Sequence, residues 1–190
     1  MKNICILRAS PRRYGNTNTL TDLVSACWQE AGCSVTEFDL YNMDIRPCTA
    51  CRACQKDWST TACAQQDDLQ RVFPAVLESD LILLATPIYS WYCTPPMKAA
   101  LDRLVYAMNK YYGDEKGPSL WKGKSVAMVV TCGYRPQQGA DLLEEGIRRY
   151  CRHSGLQYAG MLCERHLGYR TEFMDDEKRL HAQAFAQRFL

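Results

Sequence analysis

Four cysteines stand close together at Cys48, Cys51, Cys54 and Cys63, a C-x2-C-x2-C-x8-C spacing within a chain of 190 residues. Three thiolates at successive short spacings can wrap one corner of an iron–sulfur cubane, with a fourth arriving from further along. A structural zinc more often takes two separated cysteine pairs. A set of reduced thiols carrying no metal is the other reading, and the residues between the cysteines do not choose between the two. The chain has 11 cysteines, an odd number. A disulfide framework is therefore not expected in a chain whose first apolar run is followed at once by Arg8, Arg12 and Arg13 rather than by a signal-peptide core. A cytoplasmic location is the corresponding expectation. Most of the other cysteines sit in apolar or mixed segments, where a free thiol behaves as a small hydrophobe.

A second chemistry is written in three polar loops. The first, Arg8-Ala9-Ser10-Pro11-Arg12-Arg13-Tyr14-Gly15-Asn16-Thr17-Asn18, leads straight into a helical pattern. Its small residues let the backbone close around an anion, its hydroxyl and amide side chains donate, and the helix start adds free N–H groups and a positive dipole end. Arg12 or Arg13 can supply charge-assisted bonds. An ordinary turn capped by Thr17 or Asn18 is the alternative. The second loop, Thr86-Pro87-Ile88-Tyr89-Ser90-Trp91-Tyr92, carries three aromatic residues in four positions and is followed by Pro95-Pro96. Such a loop can wall a planar ring, or bury its aromatics against the sheet or a partner subunit. The third, Thr131-Cys132-Gly133-Tyr134-Arg135, is a short glycine-bearing turn.

Competing motifs fail. No G-x-G-x-x-G occurs, which argues against a Rossmann dinucleotide site. Gly123-Lys124-Ser125 lacks the first glycine of a P-loop and precedes a strand rather than a helix. No C-x5-R suggests a phosphatase, and His153, His166 and His181 show no metal spacing and read as surface residues.

The elements that position these loops alternate. Strands are expected at Asn3–Leu7, Val35–Leu40, Leu81–Thr86, Val126–Thr131 and Gln157–Leu162, with longer helical patterns between them. The third and fourth are continuously apolar, as in central strands covered on both faces. One helical stripe is Leu20, Leu23, Val24, Cys27 and Ala31; a second is Met97, Leu101, Leu104, Val105 and Met108; a third is Leu143, Ile147, Tyr150 and Cys151, ending near a Gly155 cap. Asp67 and Gln70 resemble a capping signal for a helix running to about Glu78. A last helix is expected from Phe173 to Leu190 with Leu180 and Phe185 inward. Five strands and five helices predict one doubly wound α/β domain over residues 1–190, with a Cys-rich insert at about 43–66. Ligands of such sheets sit beyond the carboxyl ends of the strands, where all three loops fall.

Composition agrees with an ordinary globule: 47% hydrophobic, 23% charged, net charge +2. That charge is too small and too evenly spread to suggest nucleic acid or a membrane surface, and no apolar run approaches the roughly 20 residues of a membrane span.

Taken in order, Ser10-Pro11-Arg12…Gly15-Asn16-Thr17, Pro87-Ile88-Tyr89-Ser90-Trp91…Lys98…Leu101-Asp102-Arg103 and Thr131-Cys132-Gly133-Tyr134 resemble the flavodoxin-like NAD(P)H-dependent FMN reductase family. Pro47-Cys48-Thr49-Ala50-Cys51…Cys54…Cys63…Asp67-Asp68 resembles its iron–sulfur flavoprotein branch. Ala9 departs from the glycine usual in the family, and the last thirty residues carry no matching motif. The resemblance implies a flavodoxin-like doubly wound five-stranded parallel sheet with helices on both faces. It implies that Ser10, Arg12, Asn16, Thr17 and Asn18 hold the FMN phosphate. Pro87, Ile88, Tyr89, Ser90 and Trp91 would line the isoalloxazine ring, mainly through backbone N–H groups, with Thr131, Cys132, Gly133 and Tyr134 approaching from the other side. NAD(P)H is then the electron donor and a quinone, flavin or similar small molecule the acceptor. No catalytic side chain is demanded, because the flavin carries the redox chemistry. If a 4Fe–4S cluster is present, Cys48, Cys51, Cys54 and Cys63 are its ligands. An electron carrier between protein partners and a non-catalytic flavin module are the alternatives. A homodimer or homotetramer is expected from Trp91, Tyr92 and the apolar helix between Met97 and Met108. Without metal, the insert is expected to lack core contacts and to be held only by Trp58.

Overall fold

Strand β3 (Leu81–Pro87) is buried along almost its whole length, and β4 (Ser125–Cys132) beside it is nearly so. Their continuous apolar runs suit the middle of a sheet covered on both faces. The computed structural model, which describes residues 1–168 and 170–190, places them there. With β1 (Asn3–Arg8), β2 (Ser34–Asp39) and β5 (Gln157–Arg165) they form one five-stranded sheet in the order β2-β1-β3-β4-β5. Every neighbouring pair runs parallel. Five strands were expected at nearly these positions.

Side-chain alternation splits the core in two. Ile82, Leu84, Val126, Met128 and Val130 face α2 (Val72–Glu78), α3 (Pro95–Met108) and α5 (Asp141–Ser154). Leu81, Leu83, Ala85, Ala127 and Val129 face α1 (Asn16–Glu30) and α6 (Asp176–Gln187). The short α4 (Pro136–Gly139) is the sixth helix among the described residues, against five expected, and α5 ends at Gly155 in the left-handed region (φ 69°), as its sequence suggests.

Three details depart from the sequence reading. Trp28, not Ala31, completes the inward face of α1. Its ring is fully buried, its Nε1 donates to the Ala186 carbonyl at 3.0 Å, and Ala31 lies exposed on the C-cap. On α6, Phe185 faces the core as expected, but Leu180 is 64% exposed, and Ala182 and Ala186 face the core in its stead. The capping signal at Asp67 is half kept. The carboxylate accepts from the Leu69 N–H, but Gln70 turns away to the Cys63 and Gln65 carbonyls, and the segment enters α2 through a 3-10 turn at Asp68–Arg71.

The Cys-rich insert is not short of core contacts. Arg103 from α3 and Lys110 just beyond it reach up beneath it, both essentially fully buried. Arg103 pairs with Asp67 and bonds the Arg46 carbonyl; Lys110 Nζ donates to the Cys54 and Thr60 carbonyls at 2.7 and 2.6 Å. Gln55, also buried, bonds the Tyr106 and Asn109 carbonyls. Trp58 packs only at the rim, 42% exposed and close against Gly117. A polar stretch is thus ordered by buried polar groups that are themselves almost fully bonded, Arg103 Nε alone among these donors lacking a partner, and such pairing is what keeps their burial from being prohibitive.

Candidate functional site at the strand ends

The chain leaves β1 toward β2 at one edge, then crosses back to β3 on the other side of β1. The crevice opened by that reversal is where doubly wound sheets bind ligands. A cavity of about 450 Å³ lies there, lined by Ser10, Pro11, Arg12, Asn16 and Thr17 after β1, by Pro87, Ile88 and Tyr89 after β3, and by Thr131, Cys132 and Gly133 after β4. Three loops remote in sequence therefore meet.

The first loop is shaped for a close approach. The Gly15 N–H donates to the Arg12 carbonyl at 2.9 Å, and a Cβ on Gly15 would stand 2.9 Å from the Cβ of Arg12. Gly15 is the N-cap of α1, so no side chain caps the helix, and the first-turn N–H groups open beside Asn16 and Thr17. Neither Thr17 nor Asn18 is the cap. Thr17 Oγ1 meets Thr131 Oγ1 at 2.6 Å, tying the first loop to the third. Asn18 does not line the cavity. Its amide donates to the Arg12 and Arg13 carbonyls at 3.0 and 3.2 Å and holds the loop's shape from behind.

The second loop is a tight turn in which Tyr89 and Tyr92 exchange backbone hydrogen bonds. Ser90 and Trp91 both take positive φ, 49° and 62°, as a type I′ turn requires and as non-glycine residues rarely do. The Ile88 N–H is spent on the Thr131 carbonyl and the Tyr89 N–H on the turn. The expected backbone donors of this loop are thereby reduced to those of Ser90 and Trp91. These two residues, with Tyr134, line a second space of about 300 Å³ that shares Ile88, Cys132 and Gly133 with the main cavity. Trp91 and Tyr134 stack with centroids 5.9 Å apart and planes 14° from parallel, and Trp91 Nε1 is held by the Gln138 carbonyl. The two rings present a flat, largely exposed wall.

Sequence reasoning passed over Pro11 and His166. His166 was read as a surface residue, yet it lines the main cavity, its N–H bonded to the Cys132 carbonyl at 2.7 Å. Only the extension of β5 past Leu162 brings it there, and no local spacing signals that. His153 and His181 are exposed, as expected.

Cys48, Cys51, Cys54 and Cys63 line a second, separate site, a small cavity of about 20 Å³ over Arg103, Tyr106 and Ala107. Ala50, Arg52 and Ala62 hold positive φ, so the loop curls tightly, with Cys54 buried, Cys48 and Cys63 partly buried and Cys51 exposed. The backbone hydrogen bond at Ala53 lowers the Cys51 thiol below its ordinary pKa, while burial raises that of Cys54. Arg103 reaches Cys63 Sγ at 3.4 Å. Burial opposes ionisation of Asp67, but hydrogen bonds from Arg103 and the Arg46 N–H outweigh it, and the carboxyl titrates below the usual range. Among the described residues, no three His, Cys, Asp or Glu side chains converge on one point that would hold a single metal ion. Four thiols around one small cavity are the donor chemistry that an iron–sulfur cluster would take.

A parallel β2-β1-β3-β4-β5 sheet with its cavity at the β1/β3 reversal defines a flavodoxin-like α/β protein. Within that class the chain belongs to the NADPH-dependent FMN reductase family, whose model matches residues 2–155. It is 33% identical over 152 residues to an iron-sulfur flavoprotein of Archaeoglobus fulgidus, covering 79% of this chain and 64% of that protein. The chain thus spans less than two thirds of that relative's length. An uncharacterised NAD(P)H oxidoreductase of Escherichia coli is 27% identical over 97% of this chain and 91% of its own. Among solved structures, the NAD(P)H:quinone oxidoreductase from Methanothermobacter marburgensis superposes with a TM-score of 0.70 at 16% identity, covering 97% of this chain and 92% of that one. At such identity the last likeness bears on the fold alone. No helix among the described residues is long and apolar enough to cross a membrane.

Proposed function

We propose that this chain binds FMN in the strand-end cavity and works as an NAD(P)H-dependent oxidoreductase that passes electrons to a small acceptor, a quinone or free flavin. The observation that carries this reading is the meeting of an uncapped helix start, Arg12 and two ring-sized loops around one cavity of about 450 Å³. Ser10, Arg12, Asn16, Thr17 and the first N–H groups of α1 take the phosphate. Asn18 keeps the loop in the shape that lets them do so. Pro87 to Trp91 and Thr131 to Tyr134 take the two sides of the ring. FMN, when bound, would supply the redox chemistry, and the residues of these loops would hold and orient its ring. The chain positions the reactants, and the exposed Trp91–Tyr134 wall stands beside the ring site.

The test is direct. Protein supplied with FMN acquires a bound-flavin spectrum with one site per chain, and oxidises NADH or NADPH faster when a quinone or riboflavin is added. Failure to quench FMN fluorescence refutes the binding site. Flavin binding without NAD(P)H oxidation favours a non-catalytic module.

A second reading has its own observation, the four cysteines around one small cavity. In it a 4Fe–4S cluster on Cys48, Cys51, Cys54 and Cys63 relays electrons between the flavin and protein partners. Anaerobic reconstitution with iron and sulfide, followed by iron counting, decides it. Four irons in the wild type and loss of the cluster in Cys51→Ala support it; no iron, or four irons in both, refutes this ligand set.

A further inference from the structure

Two cysteines outside the insert meet beside the strand-end cavity. Cys132, the last residue of β4, lines both the main cavity and the aromatic space next to it. Its register partner on β5 is Arg165, two residues beyond Cys163. Side chains two apart on a strand share a face, so Cys163 stands diagonally beside Cys132, and the two sulfurs lie 3.7 Å apart. A disulfide spans about 2.05 Å, so closing the gap takes a movement of under about 2 Å. The other buried thiols Cys5, Cys93 and Cys151 are pushed up to about 12 by burial. In the Cys132–Cys163 pair the hydrogen bond between the sulfurs instead lowers Cys132 below its ordinary value and raises Cys163.

We propose that Cys132 and Cys163 are a reversible redox pair, in which Cys132 reacts with hydroperoxides that enter the strand-end cavity and Cys163 closes the product into a disulfide. Cys132 is the attacking member because it lines the cavity; at 4% exposure it is reached by a small peroxide and not by a bulky disulfide such as oxidised glutathione. Its thiolate sulfur attacks the terminal peroxide oxygen and displaces the alkoxide or hydroxide bonded to it. An S–O bond forms, the O–O bond breaks, and the leaving alkoxide or hydroxide takes up the thiol's proton. Cys163 sulfur then attacks the sulfenic acid. The S–S bond forms, the S–O bond breaks, and hydroxide leaves as water with the Cys163 proton. Two thiols and one hydroperoxide become one disulfide, one alcohol or water, and one further water. Reduced flavins release hydrogen peroxide on meeting dioxygen, so a source of oxidant in the same cavity rests on the flavin reading. The reactivity of the pair does not.

The experiment treats fully reduced protein, with and without added FMN, with one equivalent of hydrogen peroxide. Remaining thiols are then alkylated and the digest mapped by mass spectrometry. The expected product is a peptide bridged between Cys132 and Cys163 that dithiothreitol reopens. In Cys163→Ser the reaction stops at a sulfenic acid on Cys132 that dimedone captures. Peroxide consumption by the pair falls at least tenfold in Cys132→Ser relative to Cys151→Ser. Both Cys132 and Cys163 alkylated in the wild type, with bridges confined to the insert cysteines, overturns the proposal, and this arm needs no variant to fold. The flavin spectrum of the same sample separates the two ideas: bound flavin without the bridge refutes the redox pair alone, and the bridge without bound flavin refutes the flavin site alone.

Discussion

Arg12 and Gly15 show how single residues of the first loop divide the work. Arg12→Ala should weaken FMN by about tenfold or more while leaving riboflavin nearly unaffected, because a charge-assisted hydrogen bond contributes roughly 1.5–3 kcal/mol and only FMN carries a phosphate to receive it. Fluorescence titration with both ligands checks this, and equal losses would make Arg12 a structural residue. Gly15→Ala should also weaken FMN, for a different reason. Its new methyl would press on the Arg12 Cβ at 2.9 Å and force the loop to open. Here riboflavin stays a weaker binder than FMN, yet thermal stability falls by a few degrees as well. Ser10, Arg12 and Thr17 were legible because their types sit at a strand-to-helix junction, a local fact. Asn18 read the same way by type, but its side chain faces back into the loop, and only the tertiary path of Arg12 and Arg13 decides that.

At the scale of elements, α3 and the insert are one unit joined by the Asp67–Arg103 pair, whose side chains are both fully buried. Removing one partner of such a pair leaves a buried charge uncompensated, so Asp67→Asn should cost about 3–5 kcal/mol in urea unfolding and speed alkylation of Cys63. The pH dependence follows from the depressed carboxyl of Asp67. Its contribution is fully present above the unfolded-state pKa of about 3.9 and is lost as pH falls through the lower folded-state value. The stability gap between wild type and Asp67→Asn should therefore be constant from pH 7 to about pH 5 and narrow below about pH 4; a gap that widened on acidification would place the stabilising carboxylate elsewhere. On the other face of the sheet, Trp28→Ala should cost about 3–5 kcal/mol, measured the same way, since it empties a large site against Phe189 and removes the indole's hydrogen bond to the Ala186 carbonyl. Leu20, Val24 and Trp28 recur every four residues, a period that names this face. A wide stripe through Leu23, Cys27 and Ala31 obscured it.

For the whole molecule the structure redistributes the case for self-association. Met97, Leu101, Leu104 and Met108 are consumed by the chain's own core, so α3 offers no surplus apolar face. Exposed Trp91 and Tyr134 around the second space and Tyr89 at the main cavity remain, and we expect a dimer that covers them beside the flavin site. Light scattering at micromolar concentration should give twice 21.7 kDa or a higher multiple. A Trp91→Ala, Tyr134→Ala double variant should shift it toward the monomer, and a wild type that is already monomeric contradicts the assignment. The sequence by itself determined the strands, their parallel class and the three loops that carry polar chemistry, because apolar runs, helical periods and the residues after a strand are local patterns of period and type. The tertiary structure alone decided that those loops share one cavity, that His166 joins it, that Lys110 and Arg103 order the insert, and that Cys132 and Cys163 lie 3.7 Å apart. Each of these depends on contacts between residues 30 or more apart in the chain, and such contacts are set by strand order and register, which no local window of sequence contains.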